Sequence, residues 1–312
     1  MRPMMLARLS ASHWGFRIVP SLSARILTFV LKTTKIALKQ FSGGPGMMKV
    51  IAAARAAPLP VPTAKMHRRL DVRVEQFEGR SVWHIAPKDS PPRGNLLYFH
   101  GGGYVFSAAP PHWSSLAELV EKHGIAVTAP LYPLAPESCA EDVTDWALDY
   151  YSHYIAGHAG PFVMGGDSAG GGLTAATTMA ARDAGLRLPD GLLLICPWLD
   201  ASGSHPDQPA IEPRDCILRI QGIRDAGALY ARDLPIDDPR VSPIHGRWAD
   251  LPPVMMFGGG NDILVTDART LKTKLPSAEY EEKAGLMHIW PLLPISEARA
   301  ARDTIGRWIA AQ

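Results

Sequence analysis

Between residues 96 and 257 the chain carries five short apolar runs, at 96–99, 125–128, 162–164, 192–195 and 254–257. Each is too short for a helix and shows no polar face. That pattern predicts strands buried on both sides. Helical stretches near 114–123, 140–156 and 170–184 separate several of them, and such alternation predicts a mostly parallel sheet with helices on both faces. Just upstream, Val72 and Val74 alternate with Asp71, Arg73 and Glu75, and Trp83 and Ile85 flank His84. This period of two predicts a half-buried antiparallel pair at the sheet edge. Further upstream, Ile26, Leu27, Val30, Leu31, Leu38 and Phe41 recur near helical spacing among Lys32, Lys35 and Lys39. They predict one amphipathic helix over 22–41, stopped by Gly43-Gly44-Pro45-Gly46. A second helix follows near 47–56, then an extended proline-rich linker at 57–62. The irregular, proline-containing stretch 201–250 interrupts the alternation and predicts an insertion of the kind that forms a lid or pocket wall. A last helix spans about 295–310.

Composition is that of an ordinary globular chain: of 312 residues, 46% are hydrophobic and 20% charged,. The three cysteines, Cys139, Cys196 and Cys216, are far apart and form no CxxC pair. A zinc site or disulfide framework is therefore not expected, and a reducing, cytoplasmic location is. The net charge of +2 hides an asymmetry. Residues 1–70 hold twelve Arg or Lys and no acid, whereas the remainder holds 20 basic and 30 acidic residues. A basic helical segment docked on an acidic body is the plain reading. Contact with an anionic membrane surface is the sharper one, and a targeting peptide is a third. The apolar run at 26–31 is too short to span a bilayer. No nucleic-acid-binding module is recognisable among the basic residues.

The chemistry-bearing signals lie at strand ends. Gly166-Asp167-Ser168-Ala169-Gly170 follows the run at 162–164 and opens a helix, the strand–turn–helix context of a G-x-S-x-G nucleophile turn. Ser168 is the candidate nucleophile. His100-Gly101-Gly102-Gly103 follows the run ending at Phe99; its glycines free backbone amides to point at a developing oxyanion. No Gly-Lys-Ser/Thr follows, which argues against a phosphate loop. The amide of Ala169 is a further candidate donor. A serine nucleophile needs a base and an orienting acid, in chain order Ser, acid, His on this kind of fold. Asp262 follows the run at 254–257 and is the candidate acid. Asp267, read as a helix cap, and Asp200 are its rivals. His288, the only histidine after Asp262, is the candidate base. Its neutral form must accept the proton, so activity is expected to fall below about pH 6–7.

Taken together, these motifs resemble the hormone-sensitive-lipase-like (bacterial family IV) carboxylesterases of the α/β-hydrolase superfamily. The resemblance covers roughly 70–311. It also rests on Tyr132-Pro133-Leu134-Ala135-Pro136-Glu137 and on Cys196-Pro197-Trp198-Leu199-Asp200, similar to the family's Tyr-Arg-Leu-Ala-Pro-Glu and Ser-Pro-Trp-Leu-Asp blocks. It implies an eight-stranded, mostly parallel sheet with a helical cap built from 1–70 and about 201–235, the catalytic domain being 71–312. It also implies oxyanion donors at Gly102, Gly103 and Ala169, and no cofactor or metal. Ile263 stands where the family's acid motif has proline, and Ile289-Trp290 where Gly-Phe follows the histidine. Tyr104, Phe106, Trp113 and Trp198 are candidate pocket walls. The expected function is hydrolysis of short- to medium-chain esters. Lactone hydrolysis and a membrane-associated lipase use the same constellation. A non-catalytic binding protein is the alternative of another class, since gibberellin receptors show that members lacking the histidine exist. Oligomeric state, a homodimer included, stays open.

Overall fold

Eight strands form one sheet in the computed structural model, which describes residues 19–312. Residues 1–18, a quarter of the expected N-terminal cap segment, lie outside the described residues. The strands are β1 (Asp71–Phe77), β2 (Arg80–Ala86), β3 (Gly94–Phe99), β4 (Ile125–Pro130), β5 (Val163–Asp167), β6 (Gly191–Ile195), β7 (Val254–Gly259) and β8 (Glu279–Lys283). Their order is β1-β2-β4-β3-β5-β6-β7-β8. Only β2 runs against its neighbours, pairing antiparallel with both β1 and β4. The pairs from β4 through β8 are all parallel. The five apolar runs of the sequence are the five central strands, and β5, β6 and β7 are buried along their whole length.

Helices cover the sheet as the alternation of patterns predicts. They are α1 (Leu22–Thr34), α2 (Ile36–Gln40), α3 (Gly44–Ala56), α4 (Ala64–Arg69), α5 (Pro110–His123), α6 (Ala140–Gly157), α7 (Ala169–Asp183), α8 (Gln208–Ile211), α9 (Ile220–Ala231), α10 (Val265–Lys274) and α11 (Ser296–Ile309). Their ends follow local chemistry. Prolines open α5, and Gly124 closes it in the left-handed region with its N–H on the Val120 carbonyl,. In α11, Ala298, Ala301, Arg302, Ile305 and Ile309 recur at helical spacing and are buried,.

Two N-terminal expectations are corrected. The helix predicted over 22–41 is broken: Lys35 adopts a left-handed conformation (φ 54°) and ends α1 before α2 begins. Gly44-Pro45-Gly46 does not stop a helix but opens α3, because proline is accommodated in a first turn,. Among the described residues, no helix is long and apolar enough to cross a membrane.

All parallel strands point their C-terminal ends the same way. His100 follows β3, Ser168 follows β5, Asp262 lies just past β7 and His288 past β8. The topology thus gathers four separated sequence segments at one edge, where sites on open α/β sheets form.

Candidate active site

Ser168 occupies the turn between β5 and α7 at φ 52° and ψ −122°, a backbone state costly for a residue with a side chain,. The turn is held from several sides. Ser168 N–H donates to the Ile195 carbonyl, and the Ser168 carbonyl accepts from Gly172 and Trp198 N–H. The turn also needs glycine beside it: a Cβ on Gly170 would collide with the Phe99 carbonyl. These constraints aim the hydroxyl at one partner, and Ser168 Oγ lies 2.9 Å from His288 Nε2. His288 Nδ1 lies 2.8 Å from Asp262 Oδ2. A carboxylate can only accept, so the ring proton sits on Nδ1 and Nε2 is free to take the serine proton. All three side chains are buried, Ser168 retaining 7% exposure.

The acid loop is fixed independently. Asp262 Oδ1 accepts from Leu264 N–H at 2.8 Å, and Asp262 N–H donates to the Gly259 carbonyl. Asp215, which the sequence reading did not single out, reaches in from the insertion. Its Oδ2 accepts from Ile263 N–H at 2.9 Å, and its Oδ1 from Ile217 and Leu218 N–H. Burial and the nearby Asp262 charge push the Asp215 carboxyl up to about 6. Its signal was invisible because its partner lies far away in sequence.

Asp267 does not cap α10. It sits inside the first turn of that helix, and its Oδ2 accepts from Leu199 and Asp200 N–H at 2.8 and 2.9 Å. Burial pushes its carboxyl up to about 7. Asp267 therefore anchors the segment after β6.

Burial disfavours the imidazolium form of His288. The charge and hydrogen bond of Asp262, with the fields of Asp215 and Asp167, more than offset this and raise its pKa. The acid limb of kcat/KM is therefore expected above the ordinary histidine value of about 6.5. The sign is direct: a raised pKa keeps the base protonated to higher pH, so activity is lost earlier on acidification. A kcat/KM profile against pH checks this, and a limb below about 6 would contradict it.

The glycine loop after β3 is tied to the same turn. Asp167 Oδ1 accepts from Gly101 N–H at 2.8 Å and from Tyr98 O–H at 2.6 Å, while Asp167 Oδ2 lies 3.2 Å from His112 Nε2. Gly102 has φ 124°, and a Cβ there would strike the Phe106 carbonyl. Its own carbonyl accepts from Val105 and Phe106 N–H, which closes the loop. Among the described residues the N–H groups of Gly102 and Gly103 have no protein acceptor. Ala169 opens α7, so its N–H has no intrahelical partner,. His100 stacks on Tyr132 at 4.4 Å with its Nδ1 on the Gly101 carbonyl, and burial pushes it down to about 4. It props the loop as a neutral ring.

The candidate wall residues separate into two groups. Tyr104 stacks on Tyr230 of α9 at 3.6 Å and tilts against Trp198 at 5.7 Å, beside the start of α7. Phe106 meets Phe41 edge-on at 5.5 Å, and Phe41 closes directly over Gly103. Phe41 and Tyr230 were missed because nothing in their own segments marks them. Trp113 lies elsewhere. Its indole donates to the Pro60 carbonyl and packs on Trp83, and it lines a groove of about 780 Å³ between α4, α5 and the segment after His288. None of Ser168, His288 or Asp262 lines that groove.

Comparison with known proteins bears on the fold and the family. A family model described as alpha/beta hydrolase fold matches residues 96–291. The chain is 30% identical over 265 residues to LipR of Mycobacterium tuberculosis, covering 83% of each chain. It is 31% identical over 224 residues to an acetyl-hydrolase of Streptomyces hygroscopicus, covering 69% of this chain and 74% of that one. A crystal structure of a hormone-sensitive lipase from a metagenome library superposes with a TM-score of 0.79 at 24% identity, covering 94% of this chain and 99% of the other. The chain belongs to the alpha/beta hydrolase family. Within it, the protein is a carboxylic ester hydrolase, and the non-catalytic binding-protein alternative is set aside.

Proposed function

We propose that the protein hydrolyses short- to medium-chain carboxylic esters by a serine acyl-enzyme route. The observation that carries this reading is the continuous chain Ser168 Oγ–His288 Nε2–Asp262, at 2.9 and 2.8 Å. Ser168 Oγ attacks the ester carbonyl carbon as His288 Nε2 takes its proton. The carbonyl oxygen becomes an oxyanion held by the N–H groups of Gly102, Gly103 and Ala169. His288 returns its proton to the leaving alcohol as the C–O bond breaks. Water then attacks the acyl-enzyme with His288 as base, releasing the acid and restoring Ser168. Asp262 stays ionised throughout, fixing the tautomer and stabilising the imidazolium. The relative named an acetyl-hydrolase supports a small acyl group. So does the closing of Phe41 over Gly103.

The test is a series of p-nitrophenyl esters from acetate to palmitate. A rate maximum at short chains supports the reading; a maximum at palmitate replaces it with a lipase. The Phe41→Ala variant carries a further prediction. Removing that ring opens space beside Gly103, so the chain-length optimum moves toward longer esters. Losing a buried aromatic also costs roughly 3 kcal/mol of stability, read as a lower Tm. An unchanged optimum would remove Phe41 from the pocket.

A further inference from the structure

Helix α1 is apolar on two opposite sides. At 100° per residue, Ala24, Leu27 and Leu31 share one side. Ala24 is buried there, and Leu27 and Leu31 pack against the core. Ser21 and Ser23 tie this side to Glu297 and Ser296 at the start of α11. The other side presents Leu22, Ile26, Phe29 and Val30, which are 70%, 55%, 68% and 43% exposed. Ile36, at the start of α2, is likewise 65% exposed. An ordinary surface helix keeps its outer face polar, so a second apolar stripe is, among the described residues, unpartnered surface,. Arg25 and Lys32 flank it, and Lys35 and Lys39 follow at the same end. All four are exposed, none forms an ion pair among the described residues, and no acid occurs in 1–70.

We propose that this face of α1 and α2 docks on an anionic phospholipid surface, the stripe entering the headgroup–acyl boundary and the four cations meeting lipid phosphates. Charge selects this occupant. A second copy of the face would bring four cations against four cations. Residues 1–18 carry Arg2, Arg8 and Arg17 and no acid, so their sequence offers that rim no opposite charge. An anionic bilayer offers both an apolar interior and the opposite charge, which is what basic amphipathic helices on membrane surfaces exploit. The chain runs from α2 directly into Phe41, so docking would hold the bilayer beside the segment that closes over Gly103. No side chain of this surface hydrogen-bonds to the proposed triad among the described residues, and the two readings fail separately.

The experiment is co-sedimentation of the full-length protein with vesicles of phosphatidylcholine, alone or mixed with phosphatidylglycerol. The wild type is expected on the mixed vesicles and not on phosphatidylcholine alone. Binding should weaken with added salt, because surface charge attraction is screened. The Ile26→Glu/Phe29→Glu and the Lys32→Glu/Lys35→Glu variants should each lose at least about tenfold in vesicle affinity. Both should keep wild-type rates on p-nitrophenyl acetate in solution. Absence of wild-type binding, or binding that neither variant weakens, would overturn the proposal. So would a dimer in sedimentation velocity that Ile26→Glu/Phe29→Glu abolishes, since the occupant would then be a second copy.

Discussion

Replacing Ser168 by alanine is expected to lower kcat/KM for ester hydrolysis by at least about 10⁴-fold while leaving the fold intact. Among the described residues the hydroxyl makes one side-chain hydrogen bond, to His288 Nε2. Alanine keeps the Cβ and the backbone contacts through which the turn is held to Ile195, Gly172 and Trp198. The variant should therefore match the wild type in circular dichroism and Tm. What remains would be the slow attack of water in a site that still offers oxyanion donors. Turnover at a substantial fraction of wild type would mean another nucleophile.

Asp262→Asn is expected to cost about 10⁴-fold in kcat, a loss second only to that of the nucleophile. An amide at this position can donate as well as accept. His288 Nδ1 would then be free to lose its proton to Nε2, leaving no lone pair facing Ser168 Oγ. Asp267→Asn provides the contrast. Its carboxylate serves the amides of Leu199 and Asp200, so the variant should lose about 1–3 kcal/mol of stability with a far smaller change in kcat. Steady-state kinetics and thermal unfolding on both variants separate the two. Equal kinetic losses would break the assignment of Asp262 as the orienting acid.

Much of the architecture was readable because burial on both faces removes any polar period. Runs such as 192–195 and 254–257 are too short for a helix and show no polar face,. The strand β8 is the counter-example. Glu279-Tyr280-Glu281-Glu282-Lys283 is a half-exposed edge strand, its charges pairing with Arg269 and with one another. Nothing in its own pattern marks it as part of the sheet. The break at Lys35 was equally hidden, since a lysine in the left-handed region carries no composition signal.

At the site, the motif-bearing residues were legible because the turn chemistry of Gly166–Gly170 and Gly101–Gly103 is local. The chain order then narrowed the search to Asp262 and His288. Residues acting through tertiary contact were not legible. Asp215 reaches the Ile263 amide from the insertion, and Phe41 reaches Gly103 from the N-terminal helices. Asp267 was visible but misread. It was expected to cap the helix that follows it, whereas its partners come from the loop after β6. Local sequence reports what a residue does to its own backbone, and folding alone decides what it does to another's.

Ser168 is the residue that the proposed reaction acylates. Treating the protein with a fluorophosphonate, followed by intact mass and peptide mapping, tests it most directly. One adduct per chain is expected, on Ser168, formed in step with loss of activity and absent from Ser168→Ala. An adduct on any other residue, or labelling that persists in Ser168→Ala, would contradict it.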